Sequence, residues 1–279
     1  SAPVGNAGTT GVFVHEVGHM FGAPHTFNGT VGQFCSKSRS GDSGFETGSG
    51  TTNMSYGGLC SQGNSTDNIS GGEKSRFHNR SFTAMSNYIA TTSCAVLQPT
   101  GNQAPNVSGG GDFTIPKNTP FALTAVGSDP DAADVANLTY NWEQIDAGGA
   151  PCPGPNCFAQ DGTAASYSDA GDPATTTRPI LRPYPSSASP TRIFPNLTYI
   201  LNNGNVPPTS MTDEFGRQTF TAENLPSIGR KLNFAVTVRD NRTMGGVSDD
   251  TVQLTVDGNS GPFAVTAPNT AVTWTAGSN

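Results

Sequence analysis

Residues 11–25 read Gly-Val-Phe-Val-His-Glu-Val-Gly-His-Met-Phe-Gly-Ala-Pro-His, and this stretch decides most of what the chain can be. His15 and His19 are four apart, so on a helix they project from one face and can take two positions of a tetrahedral zinc. Glu16 sits beside the first of them, where a carboxylate can act as general base toward water activated by a metal. Gly22 accepts a positive φ and lets the chain turn sharply at the helix end. Pro24 stiffens the return that delivers His25 as a third nitrogen. Three protein ligands leave one tetrahedral position open, which marks a catalytic rather than a structural zinc.

Outward from this stretch, composition narrows the possibilities. A chain of 279 residues suggests about two domains. Charged residues make up only 13% and the net charge is −7. Lys and Arg form no cluster, the nearest being Arg239 and Arg242 with Asp240 between them, so phosphate-backbone binding and a nucleic-acid partner are excluded. No apolar run approaches the ~20 residues of a membrane helix, which excludes a membrane span. The start, Ser1-Ala2-Pro3, has neither an initiator Met nor a signal peptide, so the chain is expected to be an interior piece of a longer precursor.

The period of the hydrophobic pattern changes along the chain. Residues 1–98 hold all four histidines and a pair of helices, and 99–109 is a Pro/Gly/Asn-rich linker. Beyond it, 121–126, 138–142, 232–238 and 251–256 alternate apolar and polar residues as half-buried strands do. No helical pattern separates them, which points to an antiparallel β-sandwich. A Pro-rich insertion over about 148–229 is expected to be long ordered loops with a weak strand signal at 198–201. Residues 271–274 read as the first strand of a further, incomplete β-domain beginning near 259. The expected fold class is therefore multidomain: an α+β part over 1–98, then an all-β part over 99–258.

The full pattern His-Glu-x-x-His-x-x-Gly-x-x-His, met here by His15, Glu16, His19, Gly22 and His25, resembles the metzincin zinc endopeptidases. Residues 15–25 look most like the reprolysin (adamalysin-like) branch, in which an Asp usually follows the third His; here Thr26 stands in its place. The resemblance implies the C-terminal part of a metzincin catalytic domain, containing the zinc helix, a methionine turn and a C-terminal helix. It also implies that Met54, in Thr51-Thr-Asn-Met-Ser-Tyr-Gly-Gly58, is the apolar floor beneath the histidines. Met-x-Tyr is similar to the arrangement in astacins and serralysins, whose Tyr stabilises the oxyanion; Tyr56 either does this or supports the turn as a buried ring. His78 has no partner at ligand spacing and is given a structural role. Residues 81–89 show helical spacing at Phe82, Met85 and Ile89 with Ser81 as a cap, and would form the closing C-terminal helix.

None of the five cysteines has paired C-x-x-C spacing, and zinc already has its ligands, so disulfides are favoured over a second metal site. Cys35 and Cys60 flank the methionine turn and would staple it. Cys152 and Cys157 would close a small loop, and Cys94 is left over. Disulfides need an oxidising compartment, which supports a secreted, extracellular protein. The β part, with Gly127-Ser-Asp-Pro-Asp131, Leu138–Trp142 and Val238-Arg-Asp240, looks like a polycystic-kidney-disease-type or cadherin-like immunoglobulin-fold module. Asp129, Asp131 and Asp240 either gather round Ca²⁺ or form the turn between strands.

The reading is thus a zinc-dependent metalloendopeptidase hydrolysing peptide bonds of proteins, with protein or peptide substrates and with Glu16 as base. The alternative is an adhesion or substrate-binding β-sandwich region of a secreted protein. In metzincins an upstream sheet packs on the zinc helix, and the residues before His15 carry no strand period. The face bearing Val12, Val17 and Met20 is therefore expected to need the upstream part of the same precursor, and this chain alone is expected to be poorly active.

Overall fold

A computed structural model of the protein describes residues 7–63, 65–69, 76–94, 96, 98–148, 173–201, 206–213, 216–267 and 271–273. Cys152, Cys157 and Trp274 lie outside the described residues.

Helix α1 spans Ala7–Met20. It ends in a Schellman motif: Ala23 donates its N–H to the Gly18 carbonyl and Gly22 to that of His19, while Gly22 takes φ +82°. Only a residue without Cβ enters that region at low cost, so the glycine fixes where the helix stops. Helix α2 spans Gly32–Ser38, and strands β1 (Ser61–Gln62) and β2 (Ser65–Thr66) pair antiparallel. Between them the chain is mostly irregular, tied by backbone bonds from Asn28 to the Glu46 carbonyl and from Ser49 to that of Asp67. Cys35 and Cys60 form a disulfide, and both are buried against Phe27; Cys94 is an exposed thiol. Helix α3 spans Asn79–Ala90. Its cap is His78, whose Nδ1 accepts from the Arg80 N–H, and not Ser81. The imidazole begins the helix three residues earlier because it supplies the acceptor that the first turn lacks.

The β part comprises β3 (Asn106–Ser108), β4 (Phe113–Pro116), β5 (Phe121–Thr124), β6 (Val126–Ser128), β7 (Thr139–Gln144), β8 (Thr191–Phe194), helix α4 (Leu197–Leu201), β9 (Ser210–Thr212), β10 (Gln218–Phe220), β11 (Arg230–Arg239) and β12 (Val247–Asp257). A four-stranded sheet has the order β4-β12-β11-β7. β3 pairs with β6, β5 with β8, and β9 with β10. One apolar core lies between the large sheet and the β5–β8 pair. Leu232, Phe234 and Val236 of β11 meet Val252, Leu254 and Val256 of β12 and Trp142 of β7, and Phe121, Phe194 and Phe234 form a cluster of rings.

Several expectations are corrected. The sheet is mixed, because edge strand β4 runs parallel to β12. Three residues of the proposed linker, 106–108, are strand β3, paired with β6. The Pro-rich insertion is more than loops: it supplies β8 and core residues Ile180, Leu181 and Leu225. Residues 198–201 lie in a helix, since the Asn196 side chain accepts from the Thr198 N–H and starts a turn there. Residues 271–273 form no strand. The central strand β11 is buried on both faces rather than alternating, for Ala235 and Thr237 are fully buried. Their face is covered by the start of α3, where Asn79 donates to Thr237 Oγ1 at 3.1 Å and to Asp249 Oδ2 at 3.1 Å.

Candidate metal centre

The three histidines of the opening stretch converge. His15 and His19 come from one face of α1, and His25 arrives on the segment that the Schellman turn redirects. Their Nε2 atoms lie 3.1, 3.1 and 3.2 Å apart. Each Nδ1 faces a backbone carbonyl: Asn53 for His15 at 2.7 Å, Ala23 for His19 at 2.8 Å and Ser38 for His25 at 2.6 Å. A carbonyl only accepts, so each ring carries its proton on Nδ1 and presents a lone pair at Nε2. Three lone pairs facing one another repel unless a cation sits among them. A tetrahedral zinc with Zn–N of about 2.05 Å puts its ligand nitrogens about 3.3 Å apart, close to the spacing seen. The residues therefore fit zinc by donor chemistry and by distance. Desolvation lowers the His25 imidazole to about 4, helped by the neighbouring His19 and His15 and opposed by the Ser38 carbonyl and Glu16. A ligand that stays neutral at ordinary pH is ready for a metal.

The other residues singled out from sequence fall around this triad. Glu16 is exposed on α1 beside His15. Met54 is fully buried directly beneath the helix, where a Cβ on Gly18 would collide with its Sδ and meet Phe77 Cε1 at 2.9 Å. Tyr56 stacks on Phe27 with ring centroids 4.6 Å apart and stands edge-on to His25 at 4.6 Å, with His15 at 5.7 Å. His78 is fully buried away from the triad, stacked on Phe45. Val12 and Met20 on α1 are exposed, at 60% and 73%.

Of the carboxylates expected around calcium, Asp129 and Asp131 lie together with Asp134, a group that could hold a metal ion, while Asp240 accepts from Asn102 and the N–H groups of Arg242 and Gly246. Arg242 bridges Asp134 at 3.0 Å and Asp131 at 3.7 Å, so a guanidinium stands beside two of these carboxylates. Asp131 N–H also donates to Asp129 Oδ1, a local turn bond.

Sequence reasoning missed the partners that orient the ligands. The carbonyls of Asn53 and Ser38 lie 38 and 13 residues from the histidines they hold, so no local pattern announces them. Gly18 and Glu46 were also passed over. Gly18 was visible as a helix-interior glycine, which costs stability unless something packs closely there. Glu46 stood out as a carboxylate between Phe45 and Thr47 in a Gly-, Ser- and Thr-rich stretch of a charge-poor chain.

The Reprolysin_5 family model, described as metallo-peptidase family M12, matches residues 2–70 of the chain, about a quarter of its length. No curated protein and no solved structure matched. The match spans α1, the three histidines and Met54, and it supports a metallopeptidase part of the reprolysin kind, with the zinc dependence and hydrolytic activity general to that family. A peptidase of that kind acts on proteins. The disulfide is consistent with an extracellular protein, and among the described residues no helix is long and apolar enough to cross a membrane.

Proposed function

We propose that the chain is the zinc-binding portion of a secreted endopeptidase, with His15, His19 and His25 as metal ligands and Glu16 as general base. The convergence of three Nε2 lone pairs, each ring fixed by a carbonyl at Nδ1, is the observation that supports it. Zinc bound there supplies a Lewis acid and lowers the pKa of coordinated water. Glu16, on the solvent side of α1 beside His15, takes a proton from water as it attacks the peptide carbonyl and returns it to the leaving amine. Met54 and Gly18 form the floor that sets the height of the helix. Tyr56 lies against the rings of His15 and His25, and this proximity supports a role for its phenol as hydrogen-bond donor to the oxyanion. Residues 99–258 form a β-sandwich of the immunoglobulin-like class. Its bonds to Gly44, Asn68, Arg76 and Asn79 support the metal-binding part.

The test compares hydrolysis of casein by the zinc-loaded protein with that of Glu16→Ala. The variant should keep its metal and lose about 10²–10⁴-fold in rate, the usual worth of general base catalysis. Equal rates in the two proteins, at equal zinc content, would remove Glu16 from the mechanism.

A further inference from the structure

Four hydrogen-bond donors converge on the fully buried carboxylate of Glu46. Oε1 accepts from the Thr26 hydroxyl at 2.5 Å and from the Thr52 hydroxyl. Oε2 accepts the backbone N–H of Thr51 at 2.7 Å and of Thr52 at 3.0 Å. The main chain of Glu46 is engaged on the same side: its N–H donates to the Thr26 carbonyl, and its own carbonyl accepts from Asn28. Gly50, with φ +62°, brings the turn so close that a Cβ there would meet Glu46 Oε2 at 2.9 Å.

These donors belong to two separate pieces of the metal centre. Thr26 follows His25 directly, and it stands where the reprolysin-like pattern has Asp. Thr51 and Thr52 open the turn whose next two residues are Asn53, the acceptor for His15, and Met54, the floor beneath α1. Thr26 N–H also donates to the Met54 carbonyl. A carboxylate has two oxygens and about four lone pairs, so a single side chain satisfies all four donors and closes the gap between the two pieces.

We propose that Glu46 is a positioning residue of the metal centre: it locks the His25 segment to the Asn53–Met54 turn and thereby fixes two of the three imidazoles relative to each other. The proposal rests on the reading of the triad as a zinc site. Acceptors outside the coordination sphere that orient ligands in this way are commonly worth 10–100-fold in metal affinity. Thr26 and Thr52 donate to a charged acceptor, which makes these bonds shorter and stronger than neutral ones.

The experiment measures zinc affinity by competition with a chromophoric chelator, the visible spectrum of the cobalt-substituted protein, and thermal unfolding of the metal-free protein. Glu46→Ala is expected to weaken zinc binding about 10–100-fold and to alter the cobalt d–d bands. Glu46→Gln should recover most of the affinity. Its carbonyl oxygen keeps the two backbone donors, while the Thr26 and Thr52 hydroxyls turn to accept from its NH₂. If Glu46→Ala does not fold, Thr26→Val carries the same test with one donor removed, and a several-fold loss of affinity is expected. Asp146→Asn, a change at a buried carboxylate of the β part held by Gln144, Asn233 and Arg230, serves as control: it should lower thermal stability and leave zinc affinity and spectrum unchanged. Wild-type affinity and an unchanged cobalt spectrum in Glu46→Ala would overturn the proposal alone, as would an equal affinity loss in Asp146→Asn. Absence of zinc binding in the wild-type protein would remove the metal reading and the proposal with it.

Discussion

Each imidazole of the triad has a backbone carbonyl at Nδ1, and this decides which nitrogen faces inward. Those carbonyls come from Ala23, Ser38 and Asn53, so the tautomer of each ring depends on a different part of the fold. The residue-scale prediction concerns His25 in the metal-free protein. Its folded pKa lies at about 4, below the usual 6.5. Above pH 6.5 the ring is neutral in both states, and the folded protein has the full benefit. As pH falls from 6.5 toward about 4, the unfolded chain takes up a proton that the folded one refuses, so stability declines over that window. The thermal midpoint of metal-free protein should fall through this range, and His25→Phe should flatten the slope. A slope unchanged by the substitution would assign the titration elsewhere. At this scale the convergence of the histidines was legible in sequence, because the motif is local and helical geometry alone brings His15 and His19 together. The carbonyls were not, since backbone acceptors have no residue identity.

Among the elements, α1 meets its surroundings most closely at Gly18, against Met54 and Phe77. Ala is favoured over Gly in a helix by about 1 kcal/mol. Forcing an extra methyl into a filled contact costs about 1–3 kcal/mol, so Gly18→Ala should be a net loss of roughly 0–2 kcal/mol. The same change in a Met54→Ala background should cost less, because the obstructing thioether is gone. Chemical denaturation of the four proteins reads the coupling; additive effects would show that the two residues do not touch in solution. The strands β5, β7, β11 and β12 were legible from their period of two. The parallel pairing of β4 with β12 was not, since register with a distant strand leaves no mark on either. The burial of both faces of β11 was hidden for a related reason: Thr237 and Ala235 look like solvent-side residues until Asn79 covers them.

Across the whole molecule, contacts bind the part carrying the histidine triad to the large sheet. The Glu143 carboxylate on β7 accepts the Asn79 N–H at 2.6 Å and an Asn141 N–H at 3.2 Å, and lies 3.8 Å from Arg76. Arg76 in turn offers its carbonyl to the N–H of Asn53, whose own carbonyl holds His15. A continuous path of contacts therefore runs from the sheet to His15. Glu143→Ala should lower stability by about 2–4 kcal/mol, since it leaves buried donors without their acceptor. Calorimetry should show the loss in a single transition shared by both parts; a change confined to a separate β transition would speak against the coupling. Sequence placed a boundary near residue 98, where composition does change, but composition carries no information about which surfaces meet. The most direct test of the metal site is X-ray absorption at the zinc edge after equilibration of the protein with excess zinc and removal of unbound metal. One zinc per chain, with three imidazole nitrogens and one oxygen at about 2.0–2.1 Å, is the expected result. Zinc well below one per chain, or sulfur in its coordination shell, would contradict the assignment to His15, His19 and His25.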